Sequence, residues 1–172
     1  MRAGTKLTIG LALAAAALPA QAAQARSALT CTWAGTPTAP TGTFWVTPGV
    51  TNVPSAGPLA FRATGPLGGG PRCHGTLTFD GQMDAGATCP FSTFRGRVIG
   101  LPGVARFEGR GSDDVPSVLY DRKGRVAGVE NAEIMTEANF WRTTDCNTPQ
   151  GFRGGWPGMF SSVVHRFGGS RR

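Results

Sequence analysis

The sequence predicts an all-β protein, an antiparallel β-sandwich or β-barrel of roughly 8–10 short strands with two disulfides. Three observations predict it. Glycine and proline, 26 and 13 of 172 residues, interrupt the chain every few positions and leave no room for long helices. Between them, short segments alternate apolar and polar side chains. Four widely spaced cysteines, Cys31, Cys73, Cys89 and Cys146, offer the covalent bracing that such a fold uses.

In chain order, strands are expected at 29–33, 43–46, 59–63, 76–80, 87–91, 95–99, 105–110, 118–120, 125–129 and 161–167. In Thr76-Leu77-Thr78-Phe79-Asp80 the leucine and phenylalanine point one way, the threonines and aspartate the other. In the 105–110 segment Arg106, Glu108 and Arg110 share a solvent face, where the glutamate partly neutralises its neighbours. Asp121-Arg122-Lys123-Gly124 suits a hairpin loop, with Gly124 free to take positive φ. Residues 65–71, with Gly68-Gly69-Gly70, read as a mobile loop. Positions 132–141 hold helix formers behind a capping Asn131, but Ile134, Thr136, Ala138 and Phe140 also fall on one strand face. A strand is expected there, because the surrounding pattern is β and a lone helix would need its own packing surface.

Residues 1–25 read as a cleavable secretory signal peptide: Arg2 and Lys6, then an apolar run at 7–18 broken only by Thr8 and Gly10, then small residues. The run is too short to span a bilayer, which takes about 20 residues. Two A-x-A sites allow cleavage after Ala22 or Ala25, and the second is preferred. Residues 26–167 then form a single β domain and 168–172 a flexible basic tail. The expected location is extracellular or at the cell envelope, with no membrane span after cleavage.

In an oxidising compartment, four separated cysteines read as disulfides rather than as a zinc site, and adjacent Cys73-His74 is poor geometry for one ion. Three connectivities exist and sequence does not choose among them. The expected pairing is Cys73–Cys89, closing a short excursion, and Cys31–Cys146, tying the ends of the fold together. The formal charge of +7 is nearly all arginine. It suits weak attraction to an anionic envelope polymer, although arginines scattered in this way are better read as serving solubility.

No catalytic constellation stands out. A serine hydrolase needs a nucleophile on a sharp turn beside a histidine base, but there is no G-x-S-x-G, and the only histidines are His74 and His165. His165 lies near Ser161 and Ser162 in sequence and is better read as structural. Glu108, Glu130, Glu133 and Glu137 are the carboxylates available for glycoside hydrolysis, and all read as solvated strand faces or turns. Asp80 with Asp84, and Asp113-Asp114, lack the spacing of a calcium loop and suit turns. Arg95 and Arg97 beside Phe94 make a pair, not the basic stripe that nucleic acid requires. No cofactor and no metal are expected, and no nucleic-acid partner.

The candidate ligand-binding residues are Trp33, Trp45, Trp141 and Trp156. Tryptophans on a β face stack on sugar rings, so a glycan is a legitimate partner class. The competing reading is a core role, since Phe44-Trp45 and Phe140-Trp141 each call for at least one buried ring. The expectation is a secreted, non-enzymatic domain, structural or ligand-binding. The alternatives are a carbohydrate-binding module and an extracellular hydrolase acting on envelope polymer.

The order of features carries a resemblance: an early Cys31, a Gly-rich stretch to Cys73, a strand pair ending at Cys89, and Asp145-Cys146-Asn147-Thr148-Pro149-Gln150-Gly151. It resembles small secreted actinobacterial β-rich four-cysteine proteins of unknown function, which implies a disulfide-bonded sandwich or barrel and no activity. Thr32-Trp33, Thr43-Phe44 and Thr136-Glu137-Ala138-Asn139-Phe140-Trp141 also resemble strand fragments of streptavidin-like barrels. The sequence departs from that family where Pro149 replaces the aspartate expected after the last strand, and where the tyrosine-bearing strand is missing.

Overall fold

A computed structural model describes residues 28–111, 115–134, 145–155 and 158–167. The expected signal peptide, the basic tail, most of 132–141, Asp113, Asp114, Trp141 and Trp156 lie outside the described residues.

The alternating segments form strands, and the strands close into an eight-stranded antiparallel barrel. The chain runs β1 (Leu29–Trp33), β2 (Gly35–Thr36), β3 (Ala39–Pro40), β4 (Thr43–Val50), β5 (Leu59–Gly68), β6 (Thr76–Met83) and β7 (Thr93–Ile99). It continues through β8 (Arg106–Arg110), β9 (Ser117–Tyr120), β10 (Val126–Ile134), a 3-10 turn at Asp145–Asn147, β11 (Phe152–Gly154) and β12 (Phe160–Arg166). Strands β5 to β10 each pair with the next in an up-and-down meander, β10 pairs with β12, and β12 pairs with β1.

Closure depends on β5, whose free edge takes first β1 and then β4. Trp33 sits opposite Leu67 and Thr43 opposite Thr64, so β1 and β4 act as one broken strand. Ala34 causes the break. It is fully buried with φ 62°, an uncommon backbone state for a residue with a side chain, and it turns the chain out into the β2–β3 hairpin. Gly65 permits it, since a Cβ there would lie 2.5 Å from the Ala34 Cβ. The Ala34 amide still donates to the Pro66 carbonyl at 2.8 Å, and Gly42 bridges to Phe160 on the other side.

The expected mobile loop at 65–71 is therefore corrected. Gly65 to Gly68 complete β5, with Gly65 opposite Leu77 and Gly68 opposite Thr32. The glycines there admit the neighbouring strand. The expected strand at 87–91 is a turn with a single bridge, Thr88 to Phe91. The predicted loop after β9 is a turn in which the Asp121 carboxylate accepts the Lys123 and Arg125 amides, with Gly124 at φ 77°.

The disulfide pairing is also corrected: Cys31 bonds Cys73 and Cys89 bonds Cys146, with Cα separations of 5.5 and 6.2 Å. The reason is topological. Cys73 precedes β6 and Cys89 follows it, so the two stand at opposite ends of an eight-residue strand, about 25 Å apart at the usual rise. Cys31 instead lies where β1 passes the β5–β6 turn. Cys89 lies beside Thr51, whose carbonyl takes the Cys89 amide at 2.8 Å, and meets the turn carrying Cys146. One bridge thus ties each end of the barrel.

Inside, aromatic rings step across the barrel. Trp33 packs on Phe79 and Phe160 with centroids 4.7 and 4.8 Å apart, Phe79 on Phe107 at 4.7 Å, and Phe61 on Phe94 and Phe107 at 5.8 Å. Outside, Arg62, Asp80, Arg97, Arg106 and Tyr120 stand opposite one another on successive strands. Asp80 accepts both Arg97 and Arg62, and the Arg97 hydrogen bond, more than any other effect, holds its carboxyl below the usual carboxylate range. Arg106 pairs with Glu108 on the face where alternation placed both, and lies 3.9 Å over the Tyr120 ring.

Candidate functional site

The barrel interior is not filled evenly, and the sequence says where. Three successive strands carry phenylalanine, a charged residue and glycine: Phe79-Asp80-Gly81, Phe94-Arg95-Gly96 and Phe107-Glu108-Gly109. Alternation sends the charge outward and leaves a large and an absent side chain inward, the pairing that fits a tapering interior. At Gly109 an added Cβ would lie 2.4 Å from the Phe94 ring and 2.8 Å from the Ser117 hydroxyl, so both pack over bare backbone.

Toward the end of the barrel where β4, β6 and β8 stop and β5, β7 and β12 begin, this pattern leaves a cavity of about 140 Å³. Its walls are Trp33, Phe61, Phe79, Phe94 and Phe107, with Ala63 and Met83 between them, and half-buried Phe44 and Gly111 at the edge. Trp33 is fixed as part of the wall by its indole N–H, which donates to the Leu77 carbonyl at 3.0 Å and to that of Gly65 at 3.2 Å. The size is close to that of a ~150 Å³ apolar void that admits one benzene molecule.

One wall is polar. Glu130 on β10 points inward and is 5% exposed, the one buried ionisable side chain among the described residues. Its partners are hydroxyls: Ser162 Oγ lies 2.5 Å from Glu130 Oε1, and Ser117 is the second hydrogen-bond partner. Burial, the largest influence, pushes the Glu130 carboxyl above its usual range, and the two serine bonds oppose that only in part. Ser92, also buried, adds another hydroxyl-bearing residue to the lining.

The sequence-predicted site residues are not brought together. Trp33 is 2% exposed and lines the cavity, whereas Trp45 is 51% exposed on the outer face opposite Arg62. His165 is on the outer face of β12, with its Nδ1 3.1 Å from the Thr30 hydroxyl, while Ser162 points inward. Ser161 shares the outer side with His165, but four strand residues separate them by about 13 Å. Glu108 is an outer-face residue bound to Arg106, Glu130 is interior, Glu133 is placed only by its backbone in β10, and Glu137 lies outside the described residues. Asp80 and Asp84 are held by arginines, Asp84 pairing with Arg95 at 3.0 Å and accepting the Thr93 hydroxyl at 2.7 Å. Among the described residues no three His, Cys, Asp or Glu side chains gather as a metal site requires.

Sequence reasoning did include Glu130, but on the wrong face. A register shift between Val126 and Gly128 reverses the alternation, so Val126 is 58% exposed and Glu130 faces inward. Phe61, Phe79, Phe94 and Phe107 went unassigned; the repeated Phe-charged-Gly triplet was the signal that marks the last three, and Phe61-Arg62-Ala63 follows it with alanine in the glycine place. Compared with known proteins, the chain matches no family model, no curated protein and no solved structure.

Proposed function

We propose that this is an exported, non-enzymatic binding protein that takes a small, largely apolar molecule into its barrel. The observation that carries the reading is the aromatic-walled cavity of about 140 Å³ with one carboxyl and its serine partners set into the wall. A core designed only for stability would fill that space, since unfilled volume forfeits packing energy. The two disulfides, typical of extracellular proteins, and the N-terminal leader pattern support export. Ligand entry should raise the melting temperature of the oxidised protein by mass action. Titration with benzene, toluene and indole in a thermal-shift assay tests this. Stabilisation that disappears in Ala63→Phe, which fills the cavity, is the expected result; no shift with any ring-sized compound refutes the reading.

A second reading rests on Trp45, whose exposed ring beside Arg62 offers a stacking surface for a sugar. Retention on a glycan array that is lost in Trp45→Ala supports it, and equal signals from both proteins end it.

A further inference from the structure

We infer that the ligand is a small lipophilic amine, recognised by Glu130 as its counter-ion and by the surrounding rings as a cation. The inference rests on the cavity reading above and adds the chemical class.

Glu130 begins as a neutral acid, and the geometry gives the reason. Ser162 Oγ lies 2.5 Å from Glu130 Oε1 and 2.7 Å from the Asn131 carbonyl oxygen. A serine hydroxyl has one hydrogen, and a carboxylate and a carbonyl both only accept. With Glu130 ionised, one of those two contacts has no hydrogen. With Glu130 protonated, the chain closes: the acid donates to Ser162, and Ser162 donates to Asn131. Burial favours the same state.

What the interior lacks decides the ligand. The side chains that line the cavity with Glu130, from β1, β4 to β9 and β12, are aromatic, aliphatic or serine, and among the described residues no Arg, Lys or His lines it. An anionic ligand would meet no positive charge there. A hydrocarbon would use the rings and ignore the carboxyl. An alcohol would gain one hydrogen bond. An ammonium group gains the charge of Glu130 and the negative faces of Trp33, Phe79 and Phe107 together, which is how aromatic enclosures hold organic cations.

The proton balance follows. At neutral pH the amine arrives as R-NH3+, the Glu130 carboxyl gives its proton to solvent, and the product is an R-NH3+ carboxylate pair. One proton is released for each ligand bound, no bond to carbon changes, and affinity rises about tenfold per pH unit while the empty protein still holds that proton.

The test uses the oxidised protein and three probes of similar size, benzylamine, benzyl alcohol and toluene, titrated calorimetrically at pH 5, 6 and 7 in buffers of different ionisation enthalpy. The expected result is benzylamine tightest by about tenfold or more, with proton release approaching one and affinity rising with pH. Glu130→Gln should erase the amine preference and the proton release while still binding toluene. Its amide can donate to Ser162 as the protonated acid does; if that variant does not fold, the proton count on the unaltered protein still decides. Benzyl alcohol or toluene binding as tightly as benzylamine, or benzylamine binding without proton release, overturns the amine inference and leaves the cavity reading standing. Failure of all three probes to bind overturns both.

Discussion

Replacing Glu130 with glutamine should make the protein progressively more stable than the unaltered form as pH rises from acid to neutral. The sign comes from linkage. A buried acid whose folded ionisation is raised binds its proton more tightly in the native state than in the unfolded state, where the value is near the ordinary ~4.3. Below that value both states are protonated and the variants differ little. Above it the unfolded chain releases the proton while the native state keeps it. Native stability therefore falls by about 1.4 kcal/mol for each pH unit until the folded group itself ionises. Glutamine has the shape of the protonated acid and no proton to lose, so this slope vanishes. Asp80 and Asp121 are shifted downward by hydrogen bonds from Arg97 and Arg125, so their stabilisation is lost as pH falls. Both carboxyls are common to the two proteins and cancel in the difference. Urea denaturation of the oxidised proteins at half-unit steps from pH 4 to 8 measures that difference. Parallel stability curves over the whole interval would refute the account of Glu130 as a buried neutral acid.

Other perturbations test the frame that positions the cavity. Removing either bridge, as Cys31→Ser with Cys73→Ser or Cys89→Ser with Cys146→Ser, should cost about 4 kcal/mol by the loop-closure relation, for sequence separations of 42 and 57. Peptide mapping of the unreduced protein should recover the same two linkages, and a Cys73–Cys89 peptide would contradict the topology. Gly65→Val should destabilise by roughly 2 kcal/mol or more in chemical denaturation, because the new side chain meets buried Ala34 where β1 crosses β5. Trp33→Phe should cost about 1–3 kcal/mol by removing the indole N–H shared by the Leu77 and Gly65 carbonyls; an unchanged denaturation midpoint would count against that anchoring role.

The all-β class and most strand positions were readable, because in segments such as 76–80 and 106–110 the barrel has a dry side and a wet side and alternation reports them directly. The same rule failed at β10. There the inward residues are Gly128 and Glu130 and the register shifts after Val126, so a valine faces solvent and a glutamate the interior. The cysteine pairing was unreadable for a different reason. Nearness in sequence suggested Cys73 and Cys89, but a complete strand between two cysteines carries them to opposite ends of the fold. Gly65 to Gly68 looked like loop because the sequence shows missing side chains and not the neighbouring strand that needs their space. The cavity was partly legible. The Phe-charged-Gly triplets on β6, β7 and β8 announce a wall of alternating bulk and absence, whereas Ser117 and Ser162 gain their meaning only from register, opposite Glu130 and Ala132 on either side of β10.

The central claim is that the space between the rings is a place for a ligand. Its most direct test is a crystal structure of the oxidised protein soaked with benzylamine. The account predicts density for the ring inside the cavity that Trp33, Phe79 and Phe107 help to wall, with the nitrogen within hydrogen-bond distance of Glu130. An interior in which the protein's own side chains fill the space beside Glu130, with benzylamine absent or resting only on the outer face at Trp45, would contradict it.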